Sequence, residues 1–94
     1  MTRPAVLEPA AIDAALEGSP WERDGSTLRL VRTLGSFAAA LGFVVSVGAL
    51  AEAADHHPDI DLRWRTVSLA LSTHEVKGLT QRDLDLAASI ARLA

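Results

Sequence analysis

Between Leu34 and Ala51 the chain carries no charged side chain. That run is about as long as a helix needs to cross a hydrocarbon core, so any fold has to find a place for it. Gly35, Gly42, Gly48 and several alanines keep its hydrophobicity moderate, and strand-like segments flank it. A helix packed within a small domain therefore fits better than a spanning one. Ser36 is a suitable N-cap, and the expected helix runs from Phe37 to about Asp55. Phe37, Leu41, Val44, Val45, Gly48 and Ala51 mark one face, and the opposite face carries Ala39, Phe43, Ser46 and Leu50 rather than charges. A helix that is apolar all round must be covered on more than one side. One small sheet covers only part of it, so a second subunit or another helix is expected over the rest.

The 94 residues are enough for one domain with a single modest core, and residues 1–94 are read as that domain. There is no cysteine, hence no disulfide framework and no thiolate metal site, which is compatible with a reducing compartment. Nine Lys and Arg are scattered among twelve Asp and Glu, for a net charge of −3. No basic stripe results, and no nucleic-acid partner is expected. The segment Met1–Ala5 lacks the apolar run of a secretory signal. A cytoplasmic location without a membrane partner is the expectation.

Around the long helix the chain divides into short elements. Pro9 to Glu17 reads as a first helix, with Pro9 in its first turn, Ile12 and Leu16 on one face and Gly18 as the stop. Asp24-Gly25 is a turn signal between Trp21 and the alternating Leu28-Arg29-Leu30, a hairpin whose second strand fades by about Thr33. A second strand pair is expected at Ile60–Trp64 and Thr66–Ser72, turning near Trp64-Arg65, with Val67, Leu69 and Leu71 on one face. The last helix starts after Gly78 and ends near Leu93. Thr80 and Asp83 have capping-box spacing, and Leu84, Ala87, Ala88 and Ala91 form the expected inward stripe.

All three histidines fall in two short segments, Asp55-His56-His57-Pro58 and Thr73-His74. Pro58 disfavours helical geometry at His57, so the long helix should end near His56 or His57. Counted outward from the Trp64-Arg65 turn, His57 and His74 lie at similar distances, and antiparallel pairing brings them to the same end of the sheet. Adjacent residues on a regular helix point about 100° apart, so His56 and His57 can serve one ligand only if the helix ends there. Imidazoles gathered in this way can give and accept protons near neutral pH. The bland reading is a polar helix end capping carbonyls, with His74 a loop residue and Asp83 a capping residue. A metal site is the rival use, through Glu52 and His56 at i, i+4 with His74 as third ligand. Trp21 and Trp64 are of a type more often found in the core than as ligand platforms, and spacing alone does not decide between the two. Neither a G-x-S-x-G elbow nor a glycine-rich phosphate loop occurs.

Taken together, Glu52-x-x-x-His56-His57-Pro58, then Trp64 and Val67, Ser72-Thr73-His74-Glu75 and Gly78-Leu79-Thr80-x-x-Asp83-x-x-Leu86-Ala87 resemble the pterin-4a-carbinolamine dehydratases, from about Trp21 to Leu93. The resemblance implies an α+β fold of α-β-β-α-β-β-α order, a four-stranded antiparallel sheet with helices packed on one face. It implies a homodimer or homotetramer, and loss of water from a 4a-hydroxytetrahydropterin to give the quinonoid dihydropterin. That step belongs to recycling of the aromatic amino-acid hydroxylase cofactor, and it needs no cofactor or metal of its own. By position His56, His57 and His74 would be catalytic, and Glu52, Asp55, Pro58, Thr73, Asp83 and Trp21 would line the pterin site. Trp64 matches a further aromatic position. Two departures stand out: Ile60 replaces an aromatic of some members, and Val31-Arg32-Thr33 replaces a more aromatic stretch. Animal members of the family also act as coactivators that stabilise transcription-factor dimers, and others are associated with protein assembly. A regulatory or assembly protein that binds a protein partner is therefore the alternative to an enzyme.

Overall fold

The computed structural model describes residues 4–93. The first residues of the Met1–Ala5 segment lie outside the described residues. The elements follow in the order α1 (Pro9–Ala15), β1 (Glu22–Asp24), β2 (Thr27–Thr33), α2 (Phe37–Ala54), β3 (Asp59–Arg63), β4 (Thr66–Leu71), a short 3-10 turn (His74–Val76) and α3 (Gln81–Ala91). This is the α-β-β-α-β-β-α order expected of the α+β fold.

The four strands form one antiparallel sheet in the order β1-β2-β4-β3. Asp24 pairs with Thr27 around a two-residue turn, and Gly25 takes the left-handed φ of 61° that its first position requires. Arg63 pairs with Thr66 around Trp64-Arg65, with Trp64 itself at φ 53°. Leu28, Leu30, Val67, Leu69 and Leu71 point to one face and are sealed beneath the helices. Period-two alternation places Ser68 and Ala70 of β4 on the open face.

Ser36 caps α2 as expected, its hydroxyl accepting from the Ala39 N–H. The buried stripe of α2 is Ala40, Phe43, Val47 and Ala51, whereas Phe37, Leu41 and Val45 are 49%, 43% and 71% exposed. So the face marked by Phe37, Leu41 and Val45 is turned outward. Alanines at both ends of the buried stripe let the helix approach the sheet closely, and Phe43 fills the space between, with the Arg32 guanidinium 4.9 Å from its ring centre. A fully buried residue of this size contributes about 1.5–3 kcal/mol.

In α3 the inward stripe is Asp83, Leu86, Ala87 and Ile90, one step away from the expected Leu84, Ala87, Ala88 and Ala91. Ala88 is exposed, and Leu84 and Ala91 are half-buried. The cause is Asp83, whose hydrogen bonds draw it inside and thereby set the helix rotation.

Candidate active site

The C-terminus of α2 determines where the paired histidines go. The helix ends at Ala54, and Asp55 adopts a left-handed conformation with φ 50°. The N–H of His56 bonds the carbonyl of Ala51, and that of Asp55 bonds the carbonyl of Glu52. These two bonds make a Schellman ending, in which one left-handed residue satisfies carbonyls that the helix leaves free. The helix thus stops slightly before Pro58 needs to act. The reversal at Asp55 separates the neighbours: the His56 ring goes inward, and the His57 ring stays 55% exposed at the surface.

His56 Nε2 lies 2.6 Å from Asp83 Oδ1. The Asp83 carboxylate is fully buried and accepts two further bonds at Oδ2, from the Thr73 hydroxyl at 2.6 Å and the Thr80 N–H at 2.9 Å. Thr73 and Thr80 are themselves buried, with their hydroxyl oxygens 2.8 Å apart. The expected capping box of Thr80 and Asp83 is present, so one carboxylate both caps α3 and holds a histidine. Which of the two atoms carries the proton between them is set by the imidazole tautomer. No described group bonds Nδ1, and no sealed side-chain nitrogen or oxygen among the described residues lacks a hydrogen bond, so Nδ1 meets solvent.

The other two histidines are open to solvent. His57 Nε2 is 2.8 Å from Glu52 Oε1 across the end of α2. His74 begins the 3-10 turn and is exposed. Arg82 donates to Glu75 at 2.7 Å beside that turn. Asp55, His56, His57, Ser72, Thr73, His74, Glu75 and Arg82 together enclose a cavity of about 280 Å³. It sits at the end of β3 and β4 opposite the Trp64-Arg65 turn, as the register requires. Through Ser72 and His74 it adjoins a trough of about 340 Å³ on the open face of the sheet. A larger groove of about 540 Å³ lies between α1 and α3, but Glu17 and Asp85 are its only titratable lining residues. The chemistry therefore selects the smaller, histidine-lined cavity.

Of the residues singled out in the sequence, His56, His57, His74, Asp55 and Thr73 come together around this cavity. Asp83 stands behind His56, and Glu52 reaches the site through His57. Pro58 is half-buried between His57 and β3. Trp21 is placed elsewhere, 2% exposed in the core, with its indole N–H donating to the Ala87 carbonyl at 2.9 Å. Trp64 is 71% exposed at the far hairpin tip, beneath the Arg65 guanidinium. The rival metal set of Glu52, His56 and His74 is not assembled, since Glu52 pairs with His57 and His56 with Asp83. No cluster of three or more His, Cys, Asp or Glu with metal-binding geometry occurs among the described residues. Arg82 is a cavity residue that sequence reasoning missed. Its pairing with Glu75 bridges a turn and leaves no periodic trace.

Comparison with known proteins identifies the family and the fold. The family model described as "Pterin 4 alpha carbinolamine dehydratase" matches residues 5–93. A protein of Roseiflexus castenholzii, provisionally named a pterin-4-alpha-carbinolamine dehydratase, is 53% identical over 87 residues, covering 92% of this chain and 94% of its own. The crystal structure of a transcriptional coactivator/pterin dehydratase from Brucella melitensis superposes with a TM-score of 0.86 at 25% identity, over 92% of this chain and 95% of that one. A pterin dehydratase-like protein identified as a RuBisCO assembly factor in the alpha-carboxysome shares the fold, with a TM-score of 0.62 at 21% identity over 76% of this chain and 82% of its own. On the family match and the relative's identity across nearly the whole chain, the protein belongs to the pterin-4-alpha-carbinolamine dehydratase family.

Proposed function

We propose that the protein dehydrates a 4a-hydroxytetrahydropterin to the quinonoid dihydropterin. The observation that carries this reading is the convergence of three imidazoles on one cavity, one of them anchored by a buried carboxylate. The reaction requires a proton for the departing 4a-hydroxyl, cleavage of the C4a–O bond, and loss of a proton from a ring nitrogen. The released water takes the first proton, and a base takes the second. His56, His57 and His74 can supply both roles at neutral pH. Glu52 steadies His57, and Asp55 and Pro58 shape the rim against which the pterin rests. Asp83 acts from behind His56, Thr73 lines the cavity wall, and Trp21 supports the site by holding α3. The bicyclic ring fills the histidine cavity, and the adjoining trough accommodates its substituent.

In the same reading the protein works in the cytoplasm as a homodimer or homotetramer within tetrahydropterin recycling, beside an aromatic amino-acid hydroxylase. A second copy covers the outward face of α2, where Phe37, Leu41 and Val45 are exposed. The deciding experiment follows the ultraviolet decay of an enzymatically generated 4a-hydroxytetrahydropterin. Unsubstituted protein should accelerate the decay. His57→Ala and His74→Ala should each lower the rate about 10²-fold or more while leaving the fold intact. A folded protein that gives no acceleration would overturn the reading and favour a module that binds a protein partner.

A further inference from the structure

Two buried hydroxyls behind His56 are not accounted for by the acid–base scheme. Thr80 is 1% exposed and Thr73 2% exposed, so neither offers its side chain freely to a ligand. Their protons are nevertheless fully constrained. An ionised carboxylate only accepts, so Thr73 must donate to Asp83 Oδ2. A hydroxyl has one proton to give, and with that proton committed Thr73 Oγ1 must accept across the 2.8 Å contact with Thr80. Thr80 is therefore the donor there, and the chain runs one way, from Thr80 to Thr73 to Asp83. The Thr80 N–H also ends on Oδ2, at 2.9 Å. Two donors on that oxygen leave no room for a proton on it. Any proton shared by Asp83 and His56 must then lie on the 2.6 Å line between Oδ1 and Nε2.

We propose that Thr73 and Thr80 are positioning residues whose hydroxyl chain holds His56 in its Nε2–H tautomer, so that Nδ1 is the ring atom that exchanges a proton with the pterin. This rests on the dehydratase reading of the cavity only in naming the ligand. It reassigns Thr73 from contacting the substrate to acting through Asp83, and it brings in Thr80, which the sequence marks only as a helix cap. The remaining titratable and charged groups near His56 do not touch the chain. His57, His74 and Asp55 line the cavity, Arg82 is held by Glu75, and Asp85 is held by Gln81.

The test compares Thr73→Val, Thr73→Ser, Thr80→Val and Thr80→Ser with the unsubstituted protein. Long-range ¹H–¹⁵N spectra report the His56 tautomer without ligand, and steady-state rates report the reaction. His56 in the unsubstituted protein should be the Nε2–H tautomer. Each valine variant should show a mixed tautomer, with kcat lowered about tenfold and KM changed less than about twofold. Each serine variant, which keeps the hydroxyl, should restore both. An Nδ1–H tautomer in the unsubstituted protein overturns the proposal. So do folded valine variants with an unchanged tautomer, and serine variants that lose it. If the valine variants fail to fold, the unsubstituted and serine spectra still decide. Absence of any dehydratase rate counts against the function proposed above and leaves the tautomer measurement standing.

Discussion

His56 Nε2 and Asp83 Oδ1 lie 2.6 Å apart although 27 positions separate them in the chain. The contact joins the end of α2 to the first turn of α3, and the carboxylate it uses is wholly sealed from solvent. Asp83→Asn keeps the shape but turns an NH₂ group toward groups that themselves donate. Leaving buried donors unmatched costs about 1–3 kcal/mol. Urea denaturation should show a loss of that size, accompanied by a lower turnover because His56 is no longer held.

Asp55 carries a left-handed conformation that glycine adopts without penalty and branched residues resist. Asp55→Gly should leave stability unchanged or raise it slightly, while Asp55→Val should lower it by about 1–2 kcal/mol. Equilibrium unfolding measures both. Because Asp55 also lines the cavity, the glycine variant should bind a pterin more weakly despite its sound fold.

Trp21 offers a clean separation of packing from chemistry. Its indole N–H satisfies the Ala87 carbonyl from within the core. Trp21→Phe removes that bond and should cost about 1–2 kcal/mol in unfolding experiments. The kcat of the proposed reaction should stay within about twofold of the unsubstituted protein. A larger loss of kcat with intact stability would mean that the tryptophan acts on the ligand.

The outward stripe of α2 predicts an effect on assembly. Val45→Glu places a charge at the C-terminal end of the stripe formed by Phe37, Leu41 and Val45, at the most exposed of the three, which is 71% exposed in the single chain. Sedimentation should show a shift toward monomer, with the helix content of the monomer preserved. An unchanged sedimentation coefficient would mean that the stripe is not the contact between copies.

The pH dependence of stability should carry a contribution from Asp13. The hydrogen bond from Arg23 at 2.7 Å holds its carboxyl below the usual carboxylate range, against a smaller opposing effect of burial. A lowered folded-state value stabilises the protein above the unfolded carboxylate's range, and the gain is lost as pH falls through the folded value. Asp13→Asn should therefore lower Tm slightly at neutral pH. The gap should close as the pH drops below about 4.

The sequence was most informative where one local force acts alone. Alternation of Val67, Leu69 and Leu71 identified a strand face, and Ser36 and the Thr80–Asp83 spacing identified helix starts. The meeting of His57 and His74 at one sheet end followed from symmetry about the Trp64-Arg65 turn. What stayed hidden depends on tertiary choice. A helix as uniformly apolar as α2 does not reveal which side faces the sheet, so the inward position of Phe43 had no local signal. Asp83 also disguised α3, because a polar residue on an inward stripe looks like a break in the pattern until its partners are known. Arg82 reached the cavity through an ion pair across a turn, which no periodicity announces.

Asp83 serves as the N-terminal cap of α3 and as the anchor of His56 at once. The start of a helix and the aim of an imidazole are therefore a single degree of freedom. Any fluctuation that frays the first turn of α3 releases the histidine at the same instant, and any ligand that grips His56 tightens the helix end. Amide exchange at Asp83 and Leu84 should consequently slow when the cavity is filled, so that occupancy can be read from backbone amides of α3 that lie outside the cavity lining.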